Sequence, residues 1–308
     1  MSEITCIAGF YKFTPLTRLP LIRSEVLGRA RRDGVWGTIL LAEEGINGTV
    51  AGAPQVIPSF MDWLKSHLEI DELPVSFTQA KDIPFYRLKV RIKKEIVTMG
   101  VEDVRTSENT GCHVSPEDWN SLIEDPDVLV LDARNDYEIA LGSFDGAEDP
   151  HTKTFKEWPA YIRERMSDNQ SKKIAMFCTG GIRCEKASAL LRQAGIDEVY
   201  QLQGGIINYL KRVPRSKSRW KGDCFVFDER VALDHELNPS GHELCRGCRY
   251  PIGQQERASK KYETGVSCPR CFDSVPQERK AAFRERQRQV ELAEKTGATH
   301  LGDPGIKR

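Results

Sequence analysis

The chain has 308 residues, of which 39% are hydrophobic and 29% charged, and its 45 basic and 45 acidic side chains cancel. That composition suits a globular protein of two or three domains, and zero net charge excludes a nucleic-acid binder that works by overall charge, leaving local patches. No run approaches the roughly 18 apolar residues of a membrane span, and the N-terminus lacks the basic and apolar segments of a secretory signal, so a cytoplasmic protein without membrane contact is expected.

Residues 1–100 read as short strands alternating with helices. A strand is expected over 4–13, an amphipathic helix over 16–33 and a buried strand over 36–42. Glu43-Glu-Gly-Ile-Asn-Gly48 then supplies turn residues before a second run at 49–52, which predicts a hairpin. A second helix over 54–67 precedes strand material through residue 97. The order βαββαβ predicts a small ferredoxin-like α+β domain.

Within it, Arg87, Lys89, Arg91 and Lys93 alternate with Leu88, Val90 and Ile92. Side chains alternate faces along a strand, so one face is apolar and the other carries four positive charges. Such a face is a solvated outer surface or edge protection in one reading. In the other it is a phosphate-contacting surface for RNA.

Residues 95–112 read as a linker, with turn residues Ser107, Asn109 and Gly111. Ser115-Pro-Glu-Asp118 is a capping box with proline at the first helical position. From there a 115–215 domain follows an α/β pattern. Residues 127–132 and 173–178 are continuous apolar runs, as expected of parallel strands covered on both faces. A helix over 185–194 and a third strand over 199–202, closed by Gly204 and Gly205, complete it.

The chemistry is concentrated in Cys178-Thr-Gly-Gly-Ile-Arg183. A cysteine at the C-terminal end of a parallel strand, followed by a glycine-containing loop and a helix, is a built anion site. Thr179, Gly180, Gly181 and Ile182 supply inward-facing N–H groups and Arg183 adds a cation, which together predict a lowered Cys178 pKa and a nucleophilic thiolate. Cysteine phosphatases place five residues between Cys and Arg; four here give a smaller ring suited to a persulfide sulfur. This loop resembles that of the rhodaneses, as do Leu131-Asp-Ala-Arg134, Tyr137-Glu138, Gly146-Ala147 and Gln203-Gly-Gly205. The resemblance implies structural roles for Asp132 and Arg134. Cys184 is read in two ways: a small residue packing at a helix start, or a thiol that resolves an oxidised Cys178 as a disulfide.

Residues 216–308 form a polar, cysteine-rich region ending in a charged helix over 276–295. Cys245-Arg-Gly-Cys248 and Cys268-Pro-Arg-Cys271 are nineteen residues apart, the spacing of a four-cysteine zinc site; the alternative is four reduced, unliganded thiols. Lys211, Arg212, Arg215, Lys217, Arg219 and Lys221 form a basic tract with no intervening acid and with Trp220 inside it. Cations beside an aromatic are a footprint of single-stranded nucleic-acid binding; a solvated interdomain linker is the alternative.

Taken together, five stretches resemble one family, the bacterial oxygen-dependent tRNA uridine hydroxylases that contain a rhodanese domain. They are Ala42-Glu-Glu-Gly-Ile-Asn-Gly-Thr49, residues 84–100, the Cys178 loop, Gly222-Asp-Cys-Phe-Val-Phe-Asp228 and the paired CxxC motifs. The resemblance implies 5-hydroxylation of the wobble uridine in tRNA anticodons with molecular oxygen as cosubstrate, Cys178 being the essential thiol. No flavin, haem or nucleotide cofactor motif is evident, and no obligate protein partner. Two rival classes remain: a persulfide-based sulfurtransferase acting on tRNA or a protein, and a non-catalytic RNA-binding adaptor.

Overall fold

A computed structural model of the protein describes residues 4–101, 104, 110–168 and 173–296. A mix of buried and half-buried positions, as on a strand with one face in the core, marks Thr5–Phe13 as β1. It is followed by helix α1 (Leu19–Arg32), strands β2 (Trp36–Ala42) and β3 (Gly45–Gly52), helix α2 (Val56–His67), and strands β4 (Val75–Ala80) and β5 (Leu88–Ile92). On α2, Ile57, Phe60, Met61 and Leu64 recur at helical spacing and are all buried. Both helices cover the sheet face that carries Ala8, Phe10, Ile39, Leu41 and Val50. The sheet order is β4-β1-β3-β2-β5, antiparallel except that β5 lies parallel to β2 at the edge. The expected βαββαβ arrangement is present, with β5 added as a fifth strand.

The hairpin differs from expectation in where it turns. Ala42 pairs with Gly45, so the turn is Glu43-Glu44, and Gly45 to Gly48, read as turn residues, belong to β3. The reason is steric. Gly45 has φ 146, and a Cβ there would lie 2.0 Å from the Lys12 carbonyl oxygen of β1. This glycine allows close strand approach rather than a bend.

The second unit begins earlier than expected. Cys112–Val114, of which Cys112 was assigned to the linker, is a strand (β6) paired in parallel with β10 (Glu198–Leu202); three residues are too few for a periodic signal. Ser107 and Asn109 lie outside the described residues. After β6 come α3 (Pro116–Ile123), β7 (Val128–Asp132), α4 (Asp136–Ile139), β8 (Gly142–Phe144), α5 (Trp158–Asp168), β9 (Lys173–Phe177), α6 (Ile182–Gln193), then β10 and α7 (Gly205–Arg212). The Ser115 hydroxyl accepts from the Asp118 N–H and starts α3 as its capping sequence predicts. The sheet is parallel, in order β6-β10-β9-β7.

Packing continues across residue 216. Strand β11 (Trp220–Gly222) pairs antiparallel with β8, and Trp220, Cys224, Val226 and Leu233 share one core with Trp119, Phe144 and Phe177. Short ladders follow, β12 (Cys224–Phe225) with β13 (Ala232–Leu233) and β14 (Glu243–Leu244) with β15 (Pro251–Ile252). Helices α8 (Gln254–Arg257) and α9 (Gln277–Lys295) end the described chain. Among the described residues, no helix is long and apolar enough to cross a membrane.

Candidate active site

Strand β9 delivers Cys178 to the end of the parallel sheet, and the chain turns through Thr179, Gly180 and Gly181 into α6. The thiol is fully buried. The Gly181 N–H points at Cys178 Sγ from 3.1 Å. Burial alone would raise the pKa of this thiol. The S–H of Cys184, the Arg183 guanidinium and the backbone N–H groups of Cys184 and Arg183 outweigh it and bring the pKa down to about 6. Cys184, also fully buried, moves the opposite way: burial and its hydrogen bond to Cys178 push its thiol well up. It is the neutral donor of the pair, a role neither sequence reading had given it.

Arg183 is held by a partner the sequence did not reveal. Its two terminal nitrogens donate to the carboxylate oxygens of Glu138 at 2.6 and 2.7 Å, and both side chains are buried. The bidentate pair fixes the guanidinium in place, where, after the Cys184 S–H and ahead of the backbone N–H groups, it lowers the Cys178 pKa. Beneath it, Arg134 is fully buried, with Asp132 as bidentate partner at 2.8 and 2.6 Å and the Gly142 carbonyl at 2.6 Å. The structural roles implied for Asp132 and Arg134 match this geometry.

The N-terminal domain closes one side of the loop. Tyr11 on β1 places its hydroxyl 2.8 Å from where a Cβ on Gly181 would stand, and Gly181 has φ 100, so both backbone conformation and contact demand glycine there. Glu185, in the first turn of α6, accepts from the Tyr11 hydroxyl at 3.0 Å and from Gln201 Nε2 at 3.1 Å, and faces His113 Nε2 at 3.0 Å. The next residue, the buried Lys186, bridges Glu44 at 2.8 Å and Glu95 at 2.7 Å. Glu44 also accepts from the Ile96 N–H, and Asn47 donates to the Ile96 carbonyl. The segments 42–49 and 84–100 thus meet each other and α6.

The other side is closed by the chain after β11. The Phe225 carbonyl lies 3.5 Å from Thr179 Oγ1, Phe225 packs edge-to-face on Tyr137 at 5.1 Å, and the Phe227 ring lies 5.8 Å from the Arg183 guanidinium carbon. Neither aromatic was singled out from the sequence by itself; both fall in the Gly222–Asp228 stretch.

The basic residues divide. Lys89 and Arg91 lie on edge strand β5, with Arg87 and Lys93 flanking it. In the tract, Arg215 pairs with Glu236, Arg219 with Glu124, Lys221 with Asp145 and Arg212 with Glu117. Trp220 corrects the sequence reading: it is only 6% exposed, packed between Phe144 and the Arg134 guanidinium, so it offers no face for a base to stack on. Its aromatic surface is worth more buried over that guanidinium than in water.

The four C-terminal cysteines come together. Their sulfurs lie within 4.8 Å of one another, with Cys245–Cys271 at 3.9 Å, Cys248–Cys268 at 3.7 Å and Cys268–Cys271 at 3.9 Å. Metal–sulfur bonds of about 2.3 Å in a tetrahedron set sulfurs about 3.8 Å apart, so the cluster fits a thiophilic cation. The knuckle is a tight backbone turn: the Arg249 N–H donates to the Cys245 carbonyl at 2.7 Å, and Cys245 N–H to Tyr250 at 2.9 Å.

Comparison with known proteins accords with this architecture. Residues 5–96 match the family described as UPF0176 acylphosphatase like domain, and residues 115–212 match the rhodanese-like domain family. The tRNA uridine(34) hydroxylase of Teredinibacter turnerae is 48% identical over 297 residues, covering 96% of this chain and 92% of that protein. The tRNA uridine(34) hydroxylase of Acaryochloris marina is 48% identical over 302 residues, covering 98% and 97%. The matched stretch in each case takes in nearly the whole chain, and the chain belongs to the tRNA uridine(34) hydroxylase family.

Proposed function

We propose that this protein hydroxylates the wobble uridine of tRNA at C5, in the cytoplasm, with molecular oxygen as oxidant. The observation that carries this reading is the buried Cys178, held as a thiolate near neutral pH in a chain whose full-length relatives are tRNA uridine(34) hydroxylases. Addition of the thiolate to C6 of uracil would make C5 electron-rich toward oxygen. One oxygen atom then enters the ring and the other leaves as water, with two electrons from an external donor, and loss of the C5 proton expels the thiolate. Arg183 fixes the loop and, with Thr179, Gly180, Gly181 and Ile182, keeps the sulfur anionic. Arg87, Lys89, Arg91, Lys93 and Lys217 contact tRNA phosphates, and the four-cysteine cluster holds structural zinc. The test is mass spectrometry of tRNA nucleosides from a deletion strain complemented with wild type or Cys178→Ala. Loss of 5-hydroxyuridine derivatives in the deletion, restored by wild type alone, is expected; restoration by the alanine variant would overturn the role of Cys178.

A second reading, persulfide transfer, draws on one feature, the four-residue ring with N–H groups around the sulfur. Thiosulfate sulfurtransferase activity abolished by Cys178→Ala would favour it.

A further inference from the structure

A cleft of about 600 Å³ opens where the three parts of the chain meet, within the range of about 300 to 1,000 Å³ usual for ligand sites. Edge strand β5 gives it Lys89 and the residue before that strand gives Arg87, α4 gives Tyr137, and the C-terminal region gives Phe227, Arg246 and Arg249. Its charge is lopsided. Of the two acids that line it, Asp228 is held by Arg230 at 2.6 and 2.8 Å, and Glu229 lies 3.5 Å from Arg246. Among the described residues, no carboxylate pairs with Arg87, Lys89 or Arg249. Burial and the nearby Arg87, Arg91 and Arg249 hold Lys89 below its ordinary pKa, as expected of cations gathered without a counter-ion.

The second feature is aromatic. Phe227 is 61% exposed, more than any other large hydrophobic side chain among the described residues. Its ring lies close to the guanidinium of the loop residue Arg183. The strip Phe225–Phe227 is thus a wall shared by the cleft and the Cys178 loop. An exposed flat ring beside unpaired cations is poorly arranged for water and well arranged for a stacked base with flanking phosphates.

We infer that this cleft is the binding site for single-stranded RNA: Phe227 stacks the target pyrimidine beside the Cys178 loop, and Arg87, Lys89 and Arg249 take its flanking phosphates. The inference rests on the proposed tRNA substrate and deepens it by assigning the site. It also gives the cysteine knuckle a purpose, since its tight turn sets Arg246 and Arg249 against the cleft.

The test is fluorescence anisotropy with a labelled anticodon stem-loop RNA carrying unmodified uridine, titrated across a salt series. Phe227→Ala should weaken binding by roughly 5- to 150-fold, the equivalent of one stacked base, without changing the salt slope. Phe227→Trp should bind as wild type does, which separates lost stacking from a damaged fold. Lys89→Gln and Arg249→Gln should each flatten the slope by about 0.7, one phosphate contact. If wild type binds the stem-loop and all three weakening variants bind it equally well, this inference fails while the substrate stands. If wild type does not bind the stem-loop, or prefers an acidic peptide of equal charge, the tRNA reading itself fails.

Discussion

Tyr11, on β1, donates its hydroxyl to Glu185, 174 positions away in the first turn of the helix that follows the Cys178 loop, at 3.0 Å. The two domains are therefore joined at the loop itself. Tyr11→Phe removes a hydrogen bond to a largely buried carboxylate, which costs about 1.5 to 3 kcal/mol. A lower urea midpoint is expected, together with a changed titration of Cys178, because the phenol stands against Gly181. Unaltered Cys178 titration would mean that Tyr11 only joins the domains.

The thiolate itself can be titrated by the difference in ultraviolet absorbance between wild type and Cys178→Ala. Thiolate fraction should rise with pH through a midpoint at about 6. Cys184→Ala removes the S–H donor and should move that midpoint up. The native pKa lies below the unfolded value of about 8.5, so this group's stabilisation is present in full above that value. It is lost as pH falls to about 6.

Lys186 is 3% exposed between two carboxylates. Lys186→Met leaves Glu44 and Glu95 facing each other without a cation, a change expected to destabilise by about 3 kcal/mol. Burial works against the Glu95 carboxylate, but Lys186 and the Met99 and Gly100 N–H groups hold its pKa below the ordinary value. The stabilisation it contributes is present above the unfolded carboxylate pKa and is lost as pH falls through the lower native one. Urea unfolding of the variant and wild type at neutral and acid pH checks both statements.

Elemental analysis of gently purified protein should find about one zinc per chain. Cys245→Ser should lower the metal content and loosen residues 243–275, because binding free energy at such a site is folding free energy. Limited proteolysis of wild type with and without a strong chelator reads the second effect; identical digests would count against a structural metal.

Replacing Arg215, Lys217 and Arg219 together with alanine should flatten the salt dependence of tRNA binding by only about 0.7 to 0.9, one contact's worth. Arg215 and Arg219 already have carboxylate partners in Glu236 and Glu124, so Lys217 alone has charge to offer. A change of two to three slope units would mean that tRNA displaces both acids.

What could be read from the sequence is local. The Cys178 loop is six consecutive residues whose spacing dictates its ring, the Ser115 cap spans four, and the cysteine pairs signal themselves by spacing. What escaped depends on distant partners. Glu138 reaches Arg183 across 45 positions, and nothing in a strand pattern marks Tyr11 as facing another domain. Trp220 misled because cations beside an aromatic look alike whether the ring faces solvent or folds onto Arg134. Gly45 misled because a glycine needed for close strand approach has the same letter as one needed for a turn.

The Arg183–Glu138 pair has a bearing on what can approach the sulfur. A guanidinium clasped at both ends by a buried carboxylate projects little field, so the mouth of the loop exerts scant long-range pull on small oxyanions such as phosphate, sulfate or thiosulfate. Attraction of that kind is left to Arg87, Lys89 and Arg249 at the cleft, a separate address. On the proposed binding mode, backbone charge would be recruited at the cleft, while the atoms that meet the thiolate would belong to an uncharged ring. The charged and neutral halves of a nucleotide would then be sorted into two neighbourhoods.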